Sequence, residues 1–130
     1  MHGARREPFQ YALLRVIPDL ERGEALNAGV VLFSRRHGFL AARVELDERR
    51  LAAIAPQADA AAIARRLDDL RRVAAGDATA GQVARLEPSE RFGWLTAPAS
   101  TVVQPSAVHT GLCDDPAAML DRLFKRLVIT

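Results

Sequence analysis

This sequence is short of nearly everything that cross-linking, metal capture and covalent catalysis require. A single cysteine, Cys113, among 130 residues excludes an internal disulfide and points to a reducing compartment, the cytoplasm. The three histidines, His2, His37 and His109, are scattered, whereas structural zinc wants about four Cys/His ligands and catalytic zinc about three. No metal site is expected. No Walker or dinucleotide glycine pattern occurs either, so no cofactor is expected. The longest apolar runs fall far short of the roughly 20 residues that a membrane-spanning helix needs, and no membrane partner is expected. Arg5-Arg6 is followed at once by Glu7, and Arg15 breaks the next apolar stretch. The start therefore reads as mature protein, with residues 1–7 as a flexible N-terminal tail.

Aromatic residues are only 5% of the chain and lysine occurs once, at Lys125, against 17 arginines. With 16 acids the net charge is +2, and the acids are interleaved with the arginines. Five Arg-Arg doublets, starting at Arg5, Arg35, Arg49, Arg65 and Arg71, could neutralise phosphates if the fold gathered them. There is little aromatic interleaving beside them. A solvated, ion-paired surface explains them more simply, so nucleic acid ranks as an unfavoured partner.

What is present is the making of one core. A length of 130 residues with 49% apolar and 26% charged residues suits one globular domain that buries about two thirds of its unfolded surface. Phe9 to Ile17 is rich in β-branched and aromatic residues and ends at the Pro18-Asp19 turn signal, which predicts a strand. Leu26 to Phe33 is nearly continuous in apolar character and reads as a central strand. Phe39 to Leu46 alternates with period two, as a half-buried strand does. These three predict an antiparallel meander.

Helices follow. Asp47 is placed to cap a short helix through Ile54, and Asp59 a longer one from Ala60 to Ala75 that stops at Gly76. On the longer helix Ile63, Leu67, Leu70 and Ala74 form one stripe, with Asp68 and Arg72 paired on the wet side. Pro88-Ser89-Glu90 opens a short helix carrying Phe92, Trp94 and Leu95. Thr101 to Gln104 predicts a fourth strand, and Ala107 to His109 a short extended segment. Asp115 followed by Pro116 starts a last helix, whose Met119, Leu120, Leu123, Phe124, Leu127 and Val128 share the face that docks on the sheet.

Reactive residues concentrate between Arg91 and Asp115, which holds the only Trp, the only Cys and five of the nine Ser/Thr residues. Ser106, His109 and Asp114 have the residue types of a nucleophile, a base and an orienting carboxylate. Ser106 lacks the strand-turn-helix elbow of the hydrolase motif, and the simpler reading gives these residues turn and cap duties. Thr110-Gly111-Leu112-Cys113 reads as a turn before a helix, where free N–H groups attract anions, but Asp114 and Asp115 would occupy that position themselves. Cys113 reads as a small turn residue. Asn27 and Gly29 within an apolar strand mark either a groove or, as the favoured reading, a bulge fixed by the Asn side chain. Trp94 reads as a wedge between elements more than a stacking platform.

The segments Glu21 to Phe33, Glu90 to Gly111 and Asp114 to Val128 together resemble a bacterial family, the domain of unknown function 3037. The resemblance implies a small cytoplasmic bacterial protein without accepted catalytic residues, with gene neighbours that resemble the kinase toxins of persistence modules, which points to a protein partner and to a kinase-like neighbour as a candidate for it. Its recurring blocks match here at Asn27, Gly29, Arg91, Trp94, Ser100, Thr101, Gln104, Ser106, His109, Thr110 and Gly111, which makes these the candidate binding positions.

The sequence thus predicts a single α+β domain over residues 1–130, with a three- to four-stranded, mainly antiparallel sheet covered by two or three helices. The leading function is a non-enzymatic accessory or partner-binding domain. The alternatives are a small hydrolase or transferase using Ser106 or Thr110 with His109, and nucleic-acid binding through the arginines. No oligomeric state is implied.

Overall fold

The computed structural model describes residues 6–129. Most of the expected tail, with His2 and Arg5, therefore lies outside the described residues. Glu7, assigned to that tail from sequence, already belongs to the first strand.

The N-terminal meander is present: β1 (Glu7–Val16), β2 (Leu26–Ser34) and β3 (Phe39–Val44) pair antiparallel in sequence order. Then come α1 (Glu48–Ile54), α2 (Ala60–Ala74), two 3-10 turns (Ala78–Ala80 and Gln82–Arg85) and α3 (Pro88–Leu95). Two further strands, β4 (Val103–Pro105) and β5 (His109–Cys113), precede α4 (Pro116–Phe124), which widens into a π turn over Lys125–Ile129. The sheet has the order β3-β2-β1-β4, and β5 also pairs with β1. Tyr11 and Gln10 face β2 on one side and β5 on the other, so β4 and β5 share one edge of β1 end to end.

Helix starts follow the capping rules. The Asp47 carboxylate accepts the Arg49 and Arg50 amides, Asp59 accepts Ala62, and Asp115 accepts Ala118. Each satisfies donors that the first helical turn leaves free. Gly76 takes φ +74° just past α2, where only glycine is unstrained.

Both faces of the sheet are buried. Ala12, Leu14, Val16, Ala28, Val31 and Phe33 pack with α1, α2 and α3, through Leu51, Leu67, Leu70 and Phe92. Phe9, Val30 and Leu32 pack on the other side with Leu120, Phe124 and Val128 of α4 and its extension. The sheet is larger than the three or four strands expected, and four helices rather than two or three are laid over it. The alternation expected for β3 is present, with Leu40, Ala42, Val44 and Leu46 on the first cluster and Arg43 and Glu45 exposed, while Phe39 and Ala41 on the other face are partly covered by α4. The β3 pattern alone could not show the partial cover that α4 gives Phe39 and Ala41.

The most consequential correction concerns residues 110–113. They form a strand, not a turn, and Cys113 is a core residue against α4 at 4% exposure. Gly111 was the misleading signal. It stands opposite Phe9, whose ring atoms lie 2.8 Å from where a Cβ would be, so glycine here makes room for a ring laid across the strand. Cys113 titration agrees with its position: burial first, then Asp114 and Asp115, pushes the thiol up. A smaller correction is that Asp68 pairs with Arg71, leaving Arg72 to Asp69 and Asp77.

Asn27 and Gly29 do mark a bulge. Leu14 pairs with Gly29 but Arg15 with Asn27, so Ala28 is the extra residue in β2. The bulge switches parity along the strand, which is why Ala28 and Val31 reach the same cluster three residues apart. A Cβ on Gly29 would stand 3.0 Å from both the Arg43 carbonyl and Val44. Among the described residues, no helix is long and apolar enough to cross a membrane.

Candidate functional site

The residues nominated from sequence do not meet in one concavity. Three are consumed by the fold. Asn27 Nδ2 donates to the Leu127 carbonyl at 3.0 Å, holding the π turn after α4 against the β2 bulge. Arg91 reaches from α3 to the end of α2, donating to the Leu86 carbonyl at 2.8 Å and to Ala74 at 3.4 Å, with its guanidinium over Gly76. A cation there satisfies carbonyls at the negative end of a helix. Ser106 fills the gap between β4 and β5. Its amide donates to the Leu13 carbonyl, its hydroxyl accepts the Leu13 amide at 2.8 Å, and the same hydroxyl donates to the Ala107 carbonyl.

These bonds occupy the Ser106 hydroxyl as both acceptor and donor. A nucleophilic hydroxyl gives its proton to a base, and this one gives it to a neighbouring carbonyl. His109 is itself exposed, on the same face of β5 as Cys113, with its ring 5.1 Å from the Tyr11 ring. Among the described residues no hydrogen bond joins Ser106, His109 and Asp114, and no group of three or more His, Cys, Asp or Glu could hold a metal ion. His37 Nε2 instead donates to the Cys113 carbonyl at 3.2 Å, tying the β2–β3 turn to the end of β5.

The remaining nominated residues lie along or beside one line, the outer edge of β4 and β5. Thr101 donates to the Val103 carbonyl and Gln104 to the Thr101 carbonyl, shaping the entry to β4. Ser100 precedes them and is exposed. Trp94, 41% exposed, borders an apolar cavity of about 220 Å³ with Leu70, Pro98, Val103 and Pro105, and Arg66 lies 5.9 Å from its ring. Exposed Val102, Val108 and Leu112 continue this apolar character along the edge.

Among the described residues, β4 and β5 pair only with β1, so their outer edge is open. The register shows which groups face outward. Leu13 spends both its amide and its carbonyl on Ser106, and in an antiparallel ladder alternate residues turn both groups the same way. Tyr11 with His109 and Phe9 with Gly111 are then the bonded pairs, leaving the backbone of Thr110 and Leu112 directed outward. Leu112 is 51% exposed, and β5 carries none of the lysines or prolines that ordinarily blunt an edge.

Thr110 also belongs to a concavity that sequence reasoning missed. Pro8, Phe9, Gln10, Phe33, Arg35, Arg36 and Thr110 enclose about 340 Å³ at the end of the sheet where β1 starts and β2 finishes. The helix layer stops short of this end: Phe33 meets Phe92 ring to ring at 5.3 Å, and beyond it Pro8, Gln10 and Thr110 are exposed. Arg35 rests over the Phe33 ring at 5.9 Å. Among the described residues neither Arg35 nor Arg36 has an acidic partner, in contrast with Arg71 and Arg72. The doublet was visible in the sequence. Its neighbours were not, because the pairing of β1 with β5 joins residues about a hundred positions apart.

The other doublets stand on different elements, at Arg49-Arg50 on α1 and at Arg65-Arg66 and Arg71-Arg72 on α2. Searches of curated proteins and of solved structures return no match. A family model described as "Protein of unknown function (DUF3037)" matches residues 11–128. That span covers nearly the whole chain and omits only the start of β1 and the last residues, so the chain belongs to the DUF3037 family.

Proposed function

We propose that this chain is a non-enzymatic accessory domain of the cytoplasm that binds a protein partner through the outer edge of β4 and β5. The observation that carries the reading is the open β5 edge, with the outward backbone of Thr110 and Leu112 and with Val102, Val108 and Leu112 exposed beside it. An edge strand of this kind is completed by an added strand, whose main-chain hydrogen bonds supply affinity and whose alternate side chains supply specificity. The family resemblance suggests a kinase-like neighbour as that partner. The roles found for Ser106 and His109 favour recognition over hydrolysis, since the hydroxyl is a piece of the ladder and the imidazole lies tilted against the Tyr11 ring.

Co-expression with the kinase-like product of the adjacent gene, followed by affinity purification of the full chain, tests this. A complex that forms with the natural chain and is lost when Val108 and Leu112 are both changed to Ser supports it. A natural chain that purifies alone from its native cells, or a complex indifferent to the double change, contradicts it.

A further inference from the structure

Resting on that reading, the structure points to the chemistry of the bound segment: we infer that the concavity of Arg35, Arg36, Gln10 and Thr110 takes the acidic side chains of an extended segment paired along β5. Two independent observations meet here. The first is the outward backbone of Thr110 and Leu112, which offers hydrogen bonds to an antiparallel or parallel strand at the sheet spacing of about 4.8 Å. The second is the pair of arginines at the rim of the concavity that have no acidic partner among the described residues.

The geometry connects the two. Along β5 the odd residues His109, Gly111 and Cys113 face α4 with Tyr11 and Phe9. Thr110 and Leu112 face the other side, and Thr110 lines the concavity with Gln10 and Pro8. A strand added beside β5 turns every second side chain to that same face. Those side chains meet Thr110 first, then the Gln10 amide and the two guanidiniums. The floor is apolar, from Pro8 and Phe33, and it accommodates the methylene stem of a glutamate as well as its head. Guanidinium forks bind carboxylates bidentately, and no acid among the described residues pairs with Arg35 or Arg36. The Arg35 contact with Phe33 and the His37 bond to Cys113 fix the turn that presents them.

The occupant is therefore an extended protein segment with acidic residues at alternate positions, at least one of them over the concavity. Binding of this kind has two signatures that a purely apolar contact lacks. It weakens as salt rises, and it needs the backbone of the segment as well as its charges.

Fluorescence anisotropy of the full chain with a labelled eight-residue peptide alternating Thr and Glu tests the inference, with a Thr/Lys peptide as control. The Thr/Glu peptide is expected to bind, the Thr/Lys peptide is not, and Arg35→Ala with Arg36→Ala is expected to weaken binding about tenfold or more. Methylating alternate backbone nitrogens of the peptide, or Leu112→Pro, is expected to abolish it. The methylated peptide keeps the test sound if the proline variant misfolds. Absence of Thr/Glu binding, equal binding of both peptides, or indifference to the arginines overturns the inference. So does light scattering that finds a dimer dispersed by Leu112→Pro, since the edge would then be occupied by a second copy. A kinase-like partner that needs Val108 and Leu112 but ignores Arg35 and Arg36 would retain the partner-binding reading while removing this one.

Discussion

The Ser106 hydroxyl accepts the Leu13 amide at 2.8 Å while the Ser106 amide donates to the Leu13 carbonyl, so a side chain stands where a strand would place a carbonyl. The sheet edge is thereby continuous across the gap between β4 and β5. Ser106→Ala leaves the part-buried Leu13 amide without its acceptor, and we expect a loss of about 1–2 kcal/mol in urea unfolding. Ser106→Thr keeps the hydroxyl and should recover most of it.

Asn27 performs a comparable service at the opposite end of the chain. Its amide holds the Leu127 carbonyl in the π turn, where helical carbonyls otherwise lack partners. Asn27→Ala should cost about 1–2 kcal/mol and, more specifically, speed hydrogen exchange at the end of α4 while leaving β2 amides protected. Uniform acceleration across the chain would show that the bond has no local role.

Phe9 and Gly111 are cross-strand partners with no room between them. Gly111→Ala forces the ring aside, and overpacking of this sort costs about 1–3 kcal/mol. The double variant Gly111→Ala with Phe9→Leu should be more stable than the sum of the single changes predicts. Additive losses in denaturant melts would contradict the ring-over-glycine account.

Asp77 supplies a pH dependence. Hydrogen bonds from the Thr79 hydroxyl and amide, then from Arg72, lower its carboxyl from 3.8 to about 2. A carboxylate depressed in the folded state contributes stability that is fully present above the unfolded value and is lost as pH falls through the folded one. Asp77→Ala should therefore be less stable than the natural chain at neutral pH. The gap between the two should narrow from about pH 4 down to about pH 2, which urea midpoints taken across that range will show. A gap that does not change with pH would assign the loss to packing alone.

How much the sequence revealed depended on how local the signal was. Asp47, Asp59 and Asp115 each cap a helix within three residues, and the positions of α1, α2 and α4 could be read from them. The Asn27-Gly29 bulge was also legible, because a polar residue and a glycine within an apolar strand leave few alternatives. Strand β5 was not legible. His109 to Cys113 carries only Leu112 and Cys113 as apolar residues around a glycine, and its strand character comes from Phe9 and Tyr11 on β1. The same distance in sequence hid the concavity, where Arg35 and Arg36 become neighbours of Thr110 only once the sheet has formed. The cluster of rare residues between Arg91 and Asp115 was a sound guide to an unusual region. Arg91 and Ser106 proved to secure the fold, and Thr110 to line the open concavity.

The central claim, that the outer edge of β4 and β5 is a binding edge, is tested most directly by hydrogen exchange of the full chain with and without its co-purified partner. Binding along the edge predicts that the outward amides of Thr110 and Leu112 exchange quickly in the free chain and become strongly protected in the complex, while the amides of α1 and α2 change little. Protection that falls on α1 or α2 and leaves Thr110 and Leu112 exchanging as before would contradict it.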